Sequence, residues 1–209
     1  MHQVIAIPRD ETPAVVAVLC DAFSDYPVMR HVLADSEGDY ADNLNTLIGF
    51  FVGARVWRGE PVIGIEESGT LTATAILTPP GQRQPPRELL EQRERVWRQL
   101  GPEARARYEY LGNVWPKVGV TEPNLHLNMI GIRRDRAGRG LGRALLDAIH
   151  AMSERDPDST GVSLTTETAA NVPFYEHCGY DTVGHEQIVD GLETWGFFRP
   201  DTNTGRDDG

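Results

Sequence analysis

The chain has 209 residues, 40% of them hydrophobic, a formal net charge of −11 and two cysteines. That length and apolar content suffice for one sizeable core, so a single domain is expected, while the acidic balance speaks against a broad nucleic-acid surface. Cys20 and Cys178 are too few for a disulfide framework, no run approaches the ~18 apolar residues of a membrane span, and residues 1–7, followed by Pro8, Arg9 and Asp10, are too short for a secretory segment; the expected location is the cytoplasm.

Taken in order, residues 4–7 read as a first strand and residues 11–23 as a helix with Val15, Val16, Leu19 and Phe23 on one face. Asp25-Tyr26-Pro27 breaks it. A short helix over 28–33 and a longer one over 39–57 follow, the latter striped by Leu44, Leu47, Ile48, Phe51 and Ala54. Residues 60–66 and 71–77 form a hairpin around Glu67-Ser68-Gly69. The strand pattern is then interrupted over 81–120 by a proline-bearing link and two helices, 88–100 and 103–114, an insertion long enough to cap a pocket.

The stretch 125–143, LHLNMIGIRRDRAGRGLGR, carries the most information. A short apolar run reads as a buried strand. Glycines then fall at 138, 140 and 142, and Leu141, Leu145, Ile149 and Met152 continue at helical spacing. Strand, glycine loop and helix start together make an anion site of main-chain N–H groups. Five of the 20 basic residues, Arg133, Arg134, Arg136, Arg139 and Arg143, lie within these 11 positions of an acidic chain, which points to a small polyanion. A dinucleotide fingerprint is excluded because Arg143 or Leu145 stands where its third glycine belongs, and a P-loop because the only lysine is Lys117.

After a helix over 139–154 and a strand over 162–166 comes N-V-P-F-Y-E-H-C-G-Y, residues 171–180. Asn171 suits a helix cap with Pro173 in the first turn, and Gly179 ends the run. Residues 184–188 and 193–198 read as two more strands, and 200–209 as a disordered tail.

G-R-G-L-G-R-A-L-L resembles the acetyl-CoA loop of the GNAT superfamily of N-acetyltransferases, Q/R-x-x-G-x-G/A, with its glycines at Gly140 and Gly142 and Ala137 in place of the Gln or Arg; residues 171–180 resemble that family's second signature, with Tyr180 for the usual Phe. The Tyr26-Pro27 segment, the insertion and the final D-G-x-x-T-W-G strand look most like the puromycin-acetyltransferase-like branch. The resemblance implies an α/β fold with a mixed, mostly antiparallel seven-stranded sheet and splayed central strands, over residues 1–199. It implies an acetyl-CoA cosubstrate held by Ile130, Ile132, Gly138, Arg139, Gly140, Leu141, Gly142, Arg143 and Asn171. It further implies direct acetyl transfer to a small-molecule amine, oxyanion stabilisation by a backbone N–H near Ile130, and Tyr175 as general acid. Members of the family often form homodimers.

Strand alternation places His126, Asn128, Ile130 and Ile132 on one face, making His126 a candidate base, with Glu66 and Glu167 as rivals. Cys178 diverges from His177 on a helix and reads as a small buried residue. No metal site and no nucleic-acid or membrane partner is assigned. A non-catalytic acyl-CoA-binding sensor is the alternative of a different class.

Overall fold

A computed structural model of the chain describes residues 2–81 and 85–202. Strand β1 (Ile5–Ala6) is followed by helices α1 (Thr12–Phe23), α2 (Pro27–Val32) and α3 (Tyr40–Arg58), the hairpin β2 (Val62–Glu67) and β3 (Thr70–Thr78), and helices α4 (Arg87–Leu100) and α5 (Pro102–Val118). Then come β4 (Leu125–Ile132), α6 (Leu141–Ser153), β5 (Gly161–Thr166), α7 (Val172–His177), β6 (Asp181–Val189) and β7 (Leu192–Pro200). The strands form one seven-stranded sheet in the order β1-β2-β3-β4-β5-β7-β6, and every pairing is antiparallel except β4 with β5. This is the expected fold class.

One face of the sheet carries α1 to α5 over a core built on Leu19, Leu47, Ile48 and Met129. The other carries α6 and α7 over Leu127, Leu145, Ile149 and Tyr175. Local chemistry sets the ends. Asp39 accepts hydrogen bonds from the N–H groups of Ala41 and Asp42, at 2.8 and 3.2 Å, to start α3, and Gly59 stops it in the left-handed conformation.

Three boundaries differ from expectation for physical reasons. Helix α6 begins at Leu141 rather than 139 because Gly138 and Gly140 hold φ of 76° and 78°. Helix α5 runs through Pro116 to Val118, since the fully buried Val118 seats the last turn on the sheet and outweighs the backbone bond that proline removes. The chain also stays ordered beyond 199: Pro200 pairs with Gly161, and the N–H of Asp201 donates to the carbonyl of Thr160 at 3.0 Å. The rest of the expected tail, 203–209, and part of the proline-bearing link, 82–84, lie outside the described residues.

Two features of β4 create the site. Ile76 pairs with Met129 while Leu77 pairs with Leu127, so Asn128 is the extra residue of a β-bulge. The bulge reverses the alternation. Ile130 and Ile132 join Leu125 and Leu127 in packing towards α6, whereas Met129 and Gly131 face α1, with Leu19 and Ala22 against Gly131. The expectation that His126, Asn128, Ile130 and Ile132 share one face therefore fails at the bulge: His126 and Asn128 lie apart from the two isoleucines.

The second feature is a gap. Pairing of β4 with β5 ends at Leu127 and Leu164, and the strands part beyond it. The N–H of Arg133 donates to the carbonyl of Thr72 at 2.8 Å, which fixes the phase of the β3–β4 ladder. In that phase the N–H groups of Ile130 and Ile132 point away from β3, into the gap.

Candidate active site

A cavity of about 890 Å³ runs from the α1–α2 corner through the gap between β4 and β5 to the start of α6. Tyr26, Arg55, Trp115, His126, Asn171 and Tyr175 are among the residues lining it. Helix α5 supplies Trp115, so the second of the two inserted helices forms part of its wall.

The anion-binding end is main chain. Gly140 precedes α6 without a capping side chain, and the N–H of Ala144 donates to the carbonyl of Gly140 across the junction, at 3.0 Å. The N–H groups of Leu141, Gly142 and Arg143 therefore have no partner within the helix. A Cβ on Gly142 would stand 3.4 Å from Ile132 Cδ1 and 3.6 Å from the Phe174 ring, so a larger side chain would push into β4 and α7. This cradle fits a pyrophosphate.

The arginine side chains do not converge on it. Arg134 is drawn to the end of α1, where Asp21 accepts its backbone N–H and Asp25, just beyond the helix, lies 2.7 Å from its guanidinium. Arg143 pairs with Asp147 at 2.8 Å, Arg133 approaches Asp135 at 3.8 Å, and Arg136 and Arg139 flank Glu67 at 3.8 and 3.9 Å. The basic cluster of the sequence is thus largely matched by acids, and the donor amides carry the case for an anion.

Asn171 closes a short 3₁₀ turn, Ala169–Asn171, ahead of α7. Its side chain does not cap the helix as expected, because the residue itself has helical dihedrals; the amide instead donates to Thr166 Oγ1 at 3.1 Å. Thr166 Oγ1 also lies 3.0 Å from the Tyr26 hydroxyl, which accepts the N–H of Glu167 at 2.9 Å.

Tyr175 stands on α7, with its ring against Phe174, Tyr180 and Phe197. No protein group among the described residues bonds its hydroxyl, and burial, followed by the Glu167 carboxylate, raises its pKa well above the ordinary phenol value. The group is protonated at any working pH. Of the rivals for the base, Glu66 is exposed at the hairpin end, away from the cavity. Glu167 lines the cavity, but its Oε1 already accepts from Trp115 Nε1 at 3.0 Å and Thr194 Oγ1 at 2.9 Å, and burial raises its pKa. Cys178 is buried, as its position suggested.

His126 Nδ1 lies 2.8 Å from Ser163 Oγ. The Ser163 hydroxyl donates to Asn124 Oδ1 at 2.5 Å, and Asn124 Nδ2 donates to the carbonyl of Glu122 at 2.8 Å. Burial and then the nearby Arg55 lower the His126 pKa from 6.5 to about 4. Its imidazole resonances should accordingly titrate near pH 4 in an NMR titration. Because the native state takes up this proton only near 4 while the unfolded chain takes it up near 6.5, His126 contributes stability above pH 6.5 that is lost as pH falls from 6.5 to 4.

Sequence reasoning placed Asn128 on the face of His126 but did not find Ser163, Asn124 or Arg55 at this site. Asn128 Oδ1 accepts from Thr78 Oγ1 at 2.8 Å and from Arg55 at 3.4 Å, and Arg55 stands 3.8 Å from the buried Glu60. These contacts join α3, β3 and β4, which no local pattern connects. Among the described residues, no group of His, Cys, Asp and Glu side chains could hold a metal ion, and no helix is long and apolar enough to cross a membrane.

Residues 104–196 match a family model described as an acetyltransferase (GNAT) domain. Among solved structures, the chain resembles one described as histone acetyltransferase HPA2 and related acetyltransferase from Corynebacterium glutamicum, at 17% identity and a TM-score of 0.71, covering 98% of this chain and 99% of that one. It also resembles the Drosophila melanogaster polyamine N-acetyltransferase that forms N-acetylagmatine, at 16% identity and a TM-score of 0.63, covering 94% and 98%. A putative acetyltransferase from Salmonella typhimurium, solved with its cofactor acetyl-CoA, matches at 14% identity and a TM-score of 0.55, covering 96% and 94%. The fold is that of the GNAT acetyltransferases.

Proposed function

We propose that this chain is an acetyl-CoA-dependent N-acetyltransferase that acts on the amine of a small molecule, with residues 1–199 as its one catalytic unit. The observation that carries the proposal is a single cavity holding a donor-rich helix start at one end and, at the β4–β5 gap, free amides flanked by a neutral histidine and a protonated tyrosine. The acetyl-CoA and polyamine-acetylating neighbours support it. Tyr26-Pro27 and the two inserted helices support placement in the puromycin-acetyltransferase-like branch.

Acetyl-CoA supplies a thioester carbonyl. The amides of the glycine loop and of Leu141, Gly142 and Arg143 hold its pyrophosphate, and Asn171 contacts its arm. His126 takes a proton from the acceptor amine as its nitrogen bonds to the carbonyl carbon. The Ile130 N–H donates a hydrogen bond to the carbonyl oxygen as negative charge develops on it. The C–S bond then breaks, and the Tyr175 hydroxyl gives its proton to the departing sulfur. A raised phenol pKa keeps that proton in place but makes its transfer uphill, so the tyrosinate is transient and regains a proton from solvent, to which the His126 imidazolium releases the one it took.

Calorimetry of acetyl-CoA binding, followed on the same sample by a free-thiol assay against a panel of small amines, tests the reading. Binding with amine-dependent thiol release is expected. Gly140→Val should weaken binding by about 100-fold or more, since φ of 78° is strained for a β-branched residue and relaxing it would turn the loop amides away from the anion. Binding without release on any amine would favour the sensor instead. No binding would remove the glycine loop as the acyl-CoA site.

A further inference from the structure

We propose that Ser163 and Asn124 are positioning residues that hold His126 in its Nδ1–H form, leaving the Nε2 lone pair as the atom that takes the proton of the acceptor amine. The catalytic consequence rests on the transferase reading above; the tautomer does not.

The hydrogen bonds run inward from the rim. Asn124 donates through Nδ2 to the carbonyl of Glu122, so Oδ1 is the end turned towards Ser163. An amide oxygen only accepts, and Ser163 must therefore donate to it. A serine hydroxyl has one proton. With that proton spent on Asn124, Ser163 Oγ can meet His126 Nδ1 only as an acceptor, and Nδ1 must carry a hydrogen. A neutral imidazole protonated at Nδ1 is bare at Nε2, and no protein group among the described residues bonds that nitrogen.

The arrangement is also rigid. His126 and Ser163 are direct partners in the short parallel ladder of β4 and β5, one rung before the gap opens. Ser163 is 6% exposed, so solvent has little access with which to reorient its hydroxyl. Arg55, itself near Glu60, is the charged group that acts on His126 from α3, and its cation favours the neutral ring that the relay requires.

The relay has a consequence that simple packing lacks. If Ser163 loses Asn124 Oδ1 as its acceptor, its hydroxyl is free to turn and donate to Nδ1, which moves the imidazole proton to Nε2 and removes the base. A residue two hydrogen bonds from the chemistry thus controls it. Long-range proton–nitrogen correlation spectra of the full chain with ¹⁵N-labelled histidine read the tautomer directly and without turnover. The wild type should show Nδ1 protonated and Nε2 bare. Asn124→Ala should shift the proton to Nε2 and lower kcat by about 10- to 100-fold, with KM for acetyl-CoA unchanged. Asn124→Asp, which keeps the acceptor, should restore the Nδ1–H form and most of kcat. A wild-type ring protonated at Nε2, or an Asn124→Ala protein whose tautomer does not change, would overturn the proposal whatever the activity. If the tautomers behave as stated while the wild type acetylates no amine, the assignment stands and the transferase reading fails.

Discussion

Gly196→Ala is expected to destabilise the protein by at least ~3 kcal/mol, a larger loss than most single substitutions cause. A Cβ at 196 would sit 1.7 Å from the carbonyl oxygen of Val118 and 2.6 Å from its carbon. Backbone, not a flexible side-chain tip, occupies the space. Gly184 pairs with Gly196 across β6 and β7, and a Cβ there would meet Val118 Cα at 2.6 Å, so the two glycines form a floor on which the last turn of α5 rests. The cost reaches the site, because lifting α5 pulls Trp115 from its 3.0 Å bond to Glu167 and opens the cavity wall. Urea denaturation should show a marked fall in midpoint. Gly112→Ala on the same helix is the control: a Cβ there meets nothing within 4 Å, and removing a mid-helix glycine should stabilise by up to ~1 kcal/mol. Wild-type stability in Gly196→Ala would mean that α5 is not seated on the sheet in solution.

Those glycines show where sequence reading stops. Gly184 and Gly196 sit in strand-like runs with nothing local to mark them, and their meaning is a third element, α5, pressed on them from 66 and 78 residues away by the numbering of Val118. By contrast, the glycines of 138–142 were legible because the device is local: a strand, a left-handed loop and a helix start within 18 residues of 125. The strand and helix segments followed from periodicity for the same reason.

Alternation along β4 was right at Leu125 to Leu127 and wrong after Asn128, since a bulge depends on the partner strand as much as on the bulged one. Tyr175 and Asn171 were found through a signature, and the cavity brings both together with His126. Ser163 was missed. Its pairing with His126 depends on the register of two strands separated by α6, and no spacing within either strand reveals it. The arginine cluster misled in the opposite sense: proximity in sequence suggested a common target, while Asp21, Asp25 and Asp147, all outside the 11-residue stretch, take up two of its members.

Tyr175→Phe should lower kcat by about 100-fold or more while acetyl-CoA affinity stays within about 2-fold. The substitution is clean because the ring, not the hydroxyl, makes the packing contacts: Phe174, Tyr180 and Phe197 surround it, and no protein group among the described residues bonds the oxygen. Deleting a hydroxyl with no such partner leaves no donor or acceptor stranded, so stability should change little. What is lost is a proton placed at the cavity wall. Without it the thiolate leaves unprotonated, and the solvent deuterium isotope effect on kcat should fall towards unity. The pH profile separates this role from that of His126. In the proposed mechanism the histidine, with a pKa near 4, would govern the acid side, while the raised phenol pKa would keep the acid function intact past pH 10, so the wild-type rate should show no alkaline loss below that point. Calorimetry and steady-state kinetics on the same preparations decide the matter. Unchanged turnover would remove Tyr175 from the reaction and leave water to protonate the sulfur, whereas loss of acetyl-CoA binding would make it a wall of the cosubstrate site rather than an acid.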